Sequence, residues 1–140
     1  MFLGPNLTLA TDPIGIGADF EVAIDQNWGL GGVVRYWGKS FTGYSWSIIV
    51  PQFQALYHFM PEREIDPYAG ARLGYAVVSV SNNAGYSYSL GSDLFLTATG
   101  GLRYFFNPKI SVNGSLELQI GGTDYFASSV GLMAGVDFTL

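Results

Sequence analysis

The chain has 140 residues, a net charge of −5, 19 glycines and no cysteine. Charged residues make up 12% of the sequence, about half of the ~25% typical of a soluble domain. The acidic balance argues against a nucleic-acid partner, and the lack of cysteine excludes disulfides, thiol catalysis and zinc held by cysteine. Because there is also only one histidine, we expect no metal and no cofactor.

The length fits one domain, and we expect residues 1–140 to form it. The mean hydropathy is +0.26, which makes a membrane location plausible. The longest uninterrupted apolar run is the four residues Tyr75–Val78, whereas a membrane-spanning helix needs about 20. The start, Met1–Pro5, has neither a basic residue nor a long apolar stretch, so we expect no signal peptide in the chain.

Most of the sequence alternates between an apolar residue and a small or polar one, which is the period of a β-strand. In residues 14–24 the even positions are all apolar, and the odd positions are Gly, Asp, Glu or Ala. The same pattern predicts seven strands, with an eighth, irregular one near Pro5, where no ladder donor is needed. The predicted strands are 14–24, 28–37, 51–60, 69–78, 94–106, 110–120 and 129–140, with the irregular one at 3–9.

The connections between these strands alternate in length. Tight connections are predicted at 25–27, 61–66 and 107–109, and looser ones at 10–13, 39–47, 81–93 and 121–125. In an up-and-down meander the two sets lie at opposite ends of the strands, and eight strands bring both termini to the tight-turn rim.

Charged residues indicate which face meets which environment. All of the charges within predicted strands lie on the small, polar face, and the other ten are assigned to connections, Lys39, Asp66 and Asp93 among them. A charge on a lipid-facing surface near mid-bilayer costs about 2–4 kcal/mol, so lipid would exclude charge from the apolar face. The charges within strands are Asp19, Glu21, Arg35, Arg72, Arg103, Glu117 and Asp137.

The polar face is rich in glycine and poor in Lys and Glu. A soluble exterior carries roughly a quarter to a third charged residues, whereas the lumen of an eight-stranded barrel is narrow. We therefore predict an all-β, eight-stranded antiparallel up-and-down transmembrane β-barrel with its apolar face toward lipid. The alternative is a soluble up-and-down barrel that turns the apolar face inward and binds a small apolar ligand.

Aromatic residues cluster on the apolar face close to the predicted tight turns, which is typical of an interfacial girdle. Aromatic residues are also common in strands generally, so the clustering at one rim is what favours a girdle. The predicted girdle consists of Trp28, Tyr57, Phe59, Tyr104, Phe106 and Phe138.

Several segments resemble the small eight-stranded outer-membrane barrels of Gram-negative bacteria, the OmpA-like and OmpX-like group. They are the Gly-alternating entry at 27–32, the PY-x-G-x-x-x-G-Y pattern at 67–75, the segment 101–108 and the terminal strand 131–140. The resemblance implies an integral outer-membrane protein whose partners are the lipid bilayer and the outer-membrane insertion machinery. Terminal strands of that group usually end in an aromatic residue, whereas this chain ends Phe138-Thr139-Leu140.

The polar groups of the lumen face are expected to pair with one another, because a narrow lumen of low polarity disfavours lone charges. Arg35 is expected opposite Asp19 or Glu21, and Arg72 and Arg103 at a similar height, sharing Glu117 or Glu21. We predict a plugged polar core in a monomer, the alternative being a narrow conduction path for small solutes. The predicted network comprises Asp19, Glu21, Arg35, Gln52, Gln54, His58, Arg72, Arg103, Asn113, Glu117 and Asp137.

Catalysis is not expected. His58 has no serine two residues away, so the sequence shows no nucleophile and base together, and we interpret it as a hydrogen-bonded residue of the lumen. The loops 39–46 and 81–89 are rich in Tyr, Ser, Gly and Asn. They are either solvated hairpin ends or an adaptable contact surface. The expected role is therefore structural, anchoring or surface interaction.

Overall fold

The computed structural model describes the backbone of residues 1–10, 14–82, 87–120 and 129–140, and the side chains of 1–5, 15–40, 42–81, 94–120 and 129–140. Eight antiparallel strands form a closed barrel in which each pairs with the next and the last with the first. The predicted fold class is confirmed. The strands are β1 (Phe2–Ala10), β2 (Ile14–Ala23), β3 (Trp28–Phe41), β4 (Tyr44–His58), β5 (Ile65–Asn82), β6 (Ser87–Asn107), β7 (Ile110–Ile120) and β8 (Ser129–Thr139).

The apolar face of the barrel points outward. Phe20, Leu96 and Leu116 are 49%, 48% and 56% exposed, and the polar residues beside them in sequence are buried in the interior. A soluble barrel would bury the apolar set, because burial of apolar surface is its main source of stability. The alternative of a soluble barrel with an apolar interior is therefore wrong. Among the described residues, no helix is long and apolar enough to cross a membrane.

Short turns and both termini lie at one end of the barrel, which we call the turn rim. The Asp25 side chain accepts hydrogen bonds from the backbone N–H groups of Asn27 and Trp28, both at 2.7 Å. Asn107 does the same for Lys109 and Ile110, at 2.8 and 2.9 Å. Side-chain acceptors of this kind stabilise a tight reversal of the chain, which is why Asp and Asn mark these turns. The β4–β5 turn spans 59–64, so Asp66, predicted in that turn, belongs to β5.

Two hairpins extend farther than predicted at the opposite end, which we call the loop rim. Strand β3 runs to Phe41 and β4 starts at Tyr44, so most of the predicted loop 39–47 is strand. The hairpin closes through Gly43, whose φ of +99° suits glycine. Likewise β5 runs to Asn82 and β6 starts at Ser87, within the predicted loop 81–93.

The prediction of these loops was wrong because Ser, Gly and Tyr carry little apolar–polar contrast, while hydrogen bonding to a neighbouring strand does not require it. Lys39 and Asp93 accordingly lie in strands. The predicted loop residues 11–13 and 121–125, with Asp12 and Asp124, lie outside the described residues.

Glycines on the inner face make room for large side chains of neighbouring strands. The Phe95 ring lies over Gly74, and a Cβ atom added there would be 2.5 Å from a ring carbon. The Trp37 indole lies over Gly15 in the same way. Small residues opposite large ones allow a narrow interior to fill without steric overlap.

This packing predicts opposite outcomes for two alanine substitutions. Gly74→Ala should destabilise the barrel by about 1–3 kcal/mol, because the methyl group displaces Phe95 from a packed interior. Gly100→Ala places its methyl group on the outer face, where the nearest atom is 3.9 Å away, and should be neutral or stabilising by up to about 1 kcal/mol. Urea unfolding in lipid vesicles, followed by the gel mobility of the folded band, measures both. Equal effects would contradict the packing argument.

Candidate functional site in the barrel lumen

The barrel interior holds the polar side chains that the sequence assigns to it. Every member of the predicted network is buried, with at most 6% of its surface exposed. These residues come from β2 to β8 and point inward because each falls at the inward parity of its strand. The buried set comprises Asp19, Glu21, Arg35, Gln52, Gln54, His58, Arg72, Arg103, Asn113, Glu117 and Asp137.

One group of charges lies near the turn rim, and we call it the turn-side cluster: Glu21, His58, Asp66, Arg103 and Asp137. The Arg103 guanidinium donates to Glu21 Oε2 at 2.8 Å and to Asp137 Oδ2 at 3.0 Å. His58 bridges two carboxylates, with Nε2 2.6 Å from Glu21 Oε1 and Nδ1 2.5 Å from Asp66 Oδ2. Ionised carboxylates only accept hydrogen bonds, so this arrangement suits an imidazolium that donates from both nitrogens.

Asp66 is the member of this cluster that the sequence pattern does not predict, since it is assigned to the turn at 61–66. It is 1% exposed and opposite Arg103 in the β5–β6 ladder. Its Oδ1 also accepts a hydrogen bond from the Met60 N–H at 3.2 Å, which links the cluster to the β4–β5 turn. The even parity that Asp66 shares with Arg72 was the available signal. Because Asp66 is followed by Pro67 and lies close to the charged residues 62–64, the segment is typical of a turn, and the inward parity of Asp66 is not apparent.

Aromatic side chains pack against Arg103 of the turn-side cluster. The guanidinium carbon of Arg103 lies 4.2 Å from the centre of the Phe2 ring. Phe2 contacts Phe105 with ring centres 6.0 Å apart. The buried Tyr68 ring centre lies 5.8 Å from the same guanidinium. These contacts place aromatic faces against a buried cation, which is a favourable electrostatic arrangement.

A second group, the loop-side cluster, consists of Arg35, Arg72 and Glu117. Arg35 makes a bidentate pair with Glu117, with both N···O distances 2.6 Å. Arg72 donates to the same carboxylate, and its Nε donates to Gln54 Oε1 at 3.0 Å. One carboxylate from β7 therefore holds two guanidinium groups from β3 and β5 across the lumen.

Two predicted pairings differ from the structure. Arg35 lies opposite Gly17 in the β2–β3 ladder, so its predicted position opposite Asp19 or Glu21 is wrong in register. Arg72 lies opposite Thr97, six residues along β6 from Arg103, so the two arginines are at different heights.

The two predicted acceptors are nevertheless used. Glu117 accepts from Arg72 and Glu21 accepts from Arg103, but the two arginines share neither carboxylate. Both differences are differences of hairpin register: Gly17 and Arg35 each lie six residues from the Ala23–Gly29 pair beside the β2–β3 turn, and Arg72 faces Thr97 across the β5–β6 hairpin.

Apolar side chains form a layer toward the loop rim. The apolar layer is Val50, Ala76 and Phe95, with Trp37 and Ile48 packed against it. The buried Val33 is opposite Asp19 in the β2–β3 ladder and opposite Gln52 in the β3–β4 ladder. Along its axis, the described lumen thus passes from charged clusters to an apolar layer.

The predicted girdle residues lie on the outer face near the turn rim. Trp28 and Tyr57 are paired across β3 and β4, with ring centres 5.2 Å apart and edge to face. Tyr57 contacts Phe59 at 5.2 Å in the same manner. Tyr104 and Phe106, at 5.1 Å, form a second such contact on β6. Phe138 is exposed on β8.

A family model, the outer membrane protein beta-barrel domain, matches residues 3–138, and the chain belongs to this family. It is an integral protein of the bacterial outer membrane, which agrees with the outward apolar face. Among curated proteins, none matches this sequence.

Solved structures of small outer-membrane proteins share the fold. The N-terminal β-barrel domain of Pseudomonas aeruginosa OprF superposes with a TM-score of 0.75 at 17% identity, covering 98% of this chain and 94% of that one. Neisserial surface protein A gives 0.74 at 19% identity, covering 99% and 95%. Ail, the attachment invasion locus protein of Yersinia pestis, in complex with a heparin analogue, gives 0.66 at 16% identity, covering 98% and 94%.

Proposed function

We propose that this protein is an outer-membrane barrel whose lumen is plugged by its own side chains and whose role is structural, anchoring or surface interaction. The observation that carries the proposal is the loop-side cluster, in which Glu117 bridges Arg35 and Arg72 across the lumen. An ion or solute that passes through the lumen at the loop-side cluster would have to separate these buried ion pairs. Removing one partner of such a pair typically costs about 3–5 kcal/mol.

The proposal includes no catalysis. Both ring nitrogens of His58 contact carboxylate oxygens, so neither is available to activate a nucleophile. Among the described residues, no group of three or more His, Asp or Glu residues could hold a metal ion. The buried charges instead serve to hold strands together from inside the barrel.

A surface role is supported by the hairpins at the loop rim. Strands β3 to β6 have 14 to 21 residues, whereas β1 and β2 have 9 and 10. The extra length stands beyond the lipid-facing band, where it can meet other molecules. We further propose that the protein is a monomer and that β8, ending Phe138-Thr139-Leu140, is recognised by the outer-membrane insertion machinery.

Single-channel recording in planar bilayers tests the plug. We expect no stable large conductance from the unmodified protein, because two charged clusters and an apolar layer cross the lumen. A stable conductance would overturn the plug and favour the narrow channel for small solutes.

Two variants complete this measurement. The double substitution Arg72→Ala and Glu117→Ala removes side chains that cross the lumen and should increase the frequency of conducting events. Glu62→Ala, at the exposed β4–β5 turn, alters a charge without touching the lumen and should leave the recording unchanged. If the double variant also stays silent after proof of folding by gel mobility, the ionic clusters are not what closes the lumen.

A further inference from the structure

A groove crosses the outer face of the barrel on the side where the first and last strands meet. It has a volume of about 860 Å³ and runs over β7, β8, β1, β2 and β3. Its middle is formed by three small side chains, Pro5, Ala18 and Ala134, all of them exposed. We call this feature the seam groove.

The seam groove arises because short side chains interrupt an otherwise bulky outer face. On β2, Ala18 lies between Ile16 and Phe20, which are 60% and 49% exposed. On β8, Ala134 follows Leu132, which is 56% exposed on the same face. Successive side chains on one face of a strand are about 7 Å apart, so each alanine leaves a depression beside its larger neighbours. The depressions of adjacent strands join into one groove.

The closing ladder between β1 and β8 runs beneath the middle of the groove. It pairs Leu3 with Phe138 and Asn6 with Gly135, and Pro5 lies in the interval between these two pairs. Proline has no N–H group to donate to a ladder, and its ring is compact and rigid. The shape of the groove at this point therefore depends on the backbone of the seam rather than on the rotamer of a long side chain.

The groove climbs obliquely through one leaflet of the bilayer. It begins at Val112, which is paired with Tyr104 of the aromatic girdle. It reaches Val34, which lies six residues along β3 from Trp28, another residue of the girdle. Six residues of a tilted strand correspond to a rise of about 15 Å, and the hydrocarbon core of a bilayer is about 30 Å thick. The groove therefore spans the leaflet next to the turn rim, from its surface to about the middle of the membrane.

The dimensions and the charge of the groove indicate which molecule fits it. Five strands spaced about 4.8 Å apart give the groove a length of about 19 Å, which suits one extended acyl chain. A cation lies at the end of the groove near the membrane surface, since Lys109 is exposed in the β6–β7 turn, three residues before Val112. A lysine at the membrane surface extends its ammonium group toward lipid headgroups.

We propose that the seam groove binds one acyl chain of a glycerophospholipid from the leaflet next to the turn rim, and that the phosphate of this lipid faces Lys109. Acyl chains are the groups that surround the outer face at this depth. A second copy of the barrel presents a convex wall, which contacts the sides of a groove without filling it. The chain in the groove lies against Ala18 and Ala134 on three sides, so this lipid exchanges more slowly than lipids on the convex remainder of the outer face.

Native mass spectrometry of the barrel in detergent micelles tests the proposal. Dipalmitoylphosphatidylglycerol is added in increasing amounts, and a complex with one lipid should saturate before further adducts appear. Ala18→Phe fills the groove and should abolish the saturable complex. Ala98→Phe is the matched control, because Ala98 is exposed on the outer face of β6, away from the groove, and this variant should bind the lipid as the unmodified protein does. Gel mobility shows whether both variants fold.

The phosphate contact is tested with a lipid that lacks a phosphate. Lys109→Gln should weaken binding of the phosphatidylglycerol about two- to fivefold, as for an exposed ion pair, and leave binding of dipalmitoylglycerol unaffected. Arg63→Gln changes another exposed cation of the turn rim and should alter neither affinity. A statistical series of adducts without a saturable first lipid, or a dimer that Ala18→Phe abolishes, would overturn the lipid site. An unchanged affinity in Lys109→Gln would overturn the assigned orientation.

Discussion

Replacing Glu117 with alanine is expected to destabilise the barrel by about 3–5 kcal/mol. The substitution leaves Arg35 and Arg72 in the lumen without the carboxylate that both of them contact. Two unpaired buried cations then repel each other in a region of low polarity. The free energy of unfolding in vesicles, obtained from urea titration with the folded band followed by gel mobility, measures the loss.

Two further variants identify the cause of that loss. Glu62→Ala removes a carboxylate at an exposed turn and should stay within about 0.5 kcal/mol of the unmodified protein. Replacing Arg35 and Arg72 with Met and Glu117 with Leu removes all three charges together, and it should recover much of the stability. If Glu117→Ala and Glu62→Ala are equally mild, the loop-side cluster does not stabilise the barrel as described.

Introducing arginine on the outer face is expected to have a strong effect that depends on depth. Leu116 is 56% exposed and lies on β7 four residues beyond Val112, the partner of Tyr104 in the aromatic girdle. Four residues of a tilted strand place it about 10 Å into the apolar band, near mid-bilayer. Leu116→Arg should therefore lower the free energy of unfolding by about 2–4 kcal/mol.

Ile65 provides the matched position near the membrane surface. It is 52% exposed, also points outward, and is paired directly with Tyr104 at the level of the girdle. Ile65→Arg should cost only about 0–1 kcal/mol, since arginine near the interface reaches water. The same vesicle titration compares the two variants. A similar cost at both positions would contradict the proposed placement of the bilayer.

For the charged residues of the lumen, the sequence predicts the direction of each side chain better than its partners. Parity alone predicted that Glu117 and Arg103 point inward, because a strand alternates its faces whatever lies opposite. The expected acceptors Glu117 and Glu21 are used by Arg72 and Arg103, but parity did not predict that Glu117 also binds Arg35. Glu117 accepts from β3 and β5, which are not its neighbours in the sheet, and such contacts depend on how the closed barrel brings distant strands together.

At the loop rim, the sequence pattern does not predict even that the residues form strands. Around Trp46 and Ser47 the sequence mixes aromatic and hydroxyl residues without a clear apolar face. The pattern therefore predicts a loop, although the alternation continues there with apolar residues facing inward and serines facing outward. Only the pairing of β4 with β3 and β5 reveals that Trp46 belongs to a continuous inner surface.

The strand count, the outward apolar face and the membrane location follow from the sequence, because local alternation and the exclusion of charge by lipid are enough to predict them. Only the closed barrel shows that Glu117 also holds Arg35, that Asp66 contacts His58, and that the hairpins at the loop rim continue as paired strands. Barrel closure and shear set these contacts. Both relate strands far apart in the sequence, so no local pattern encodes them.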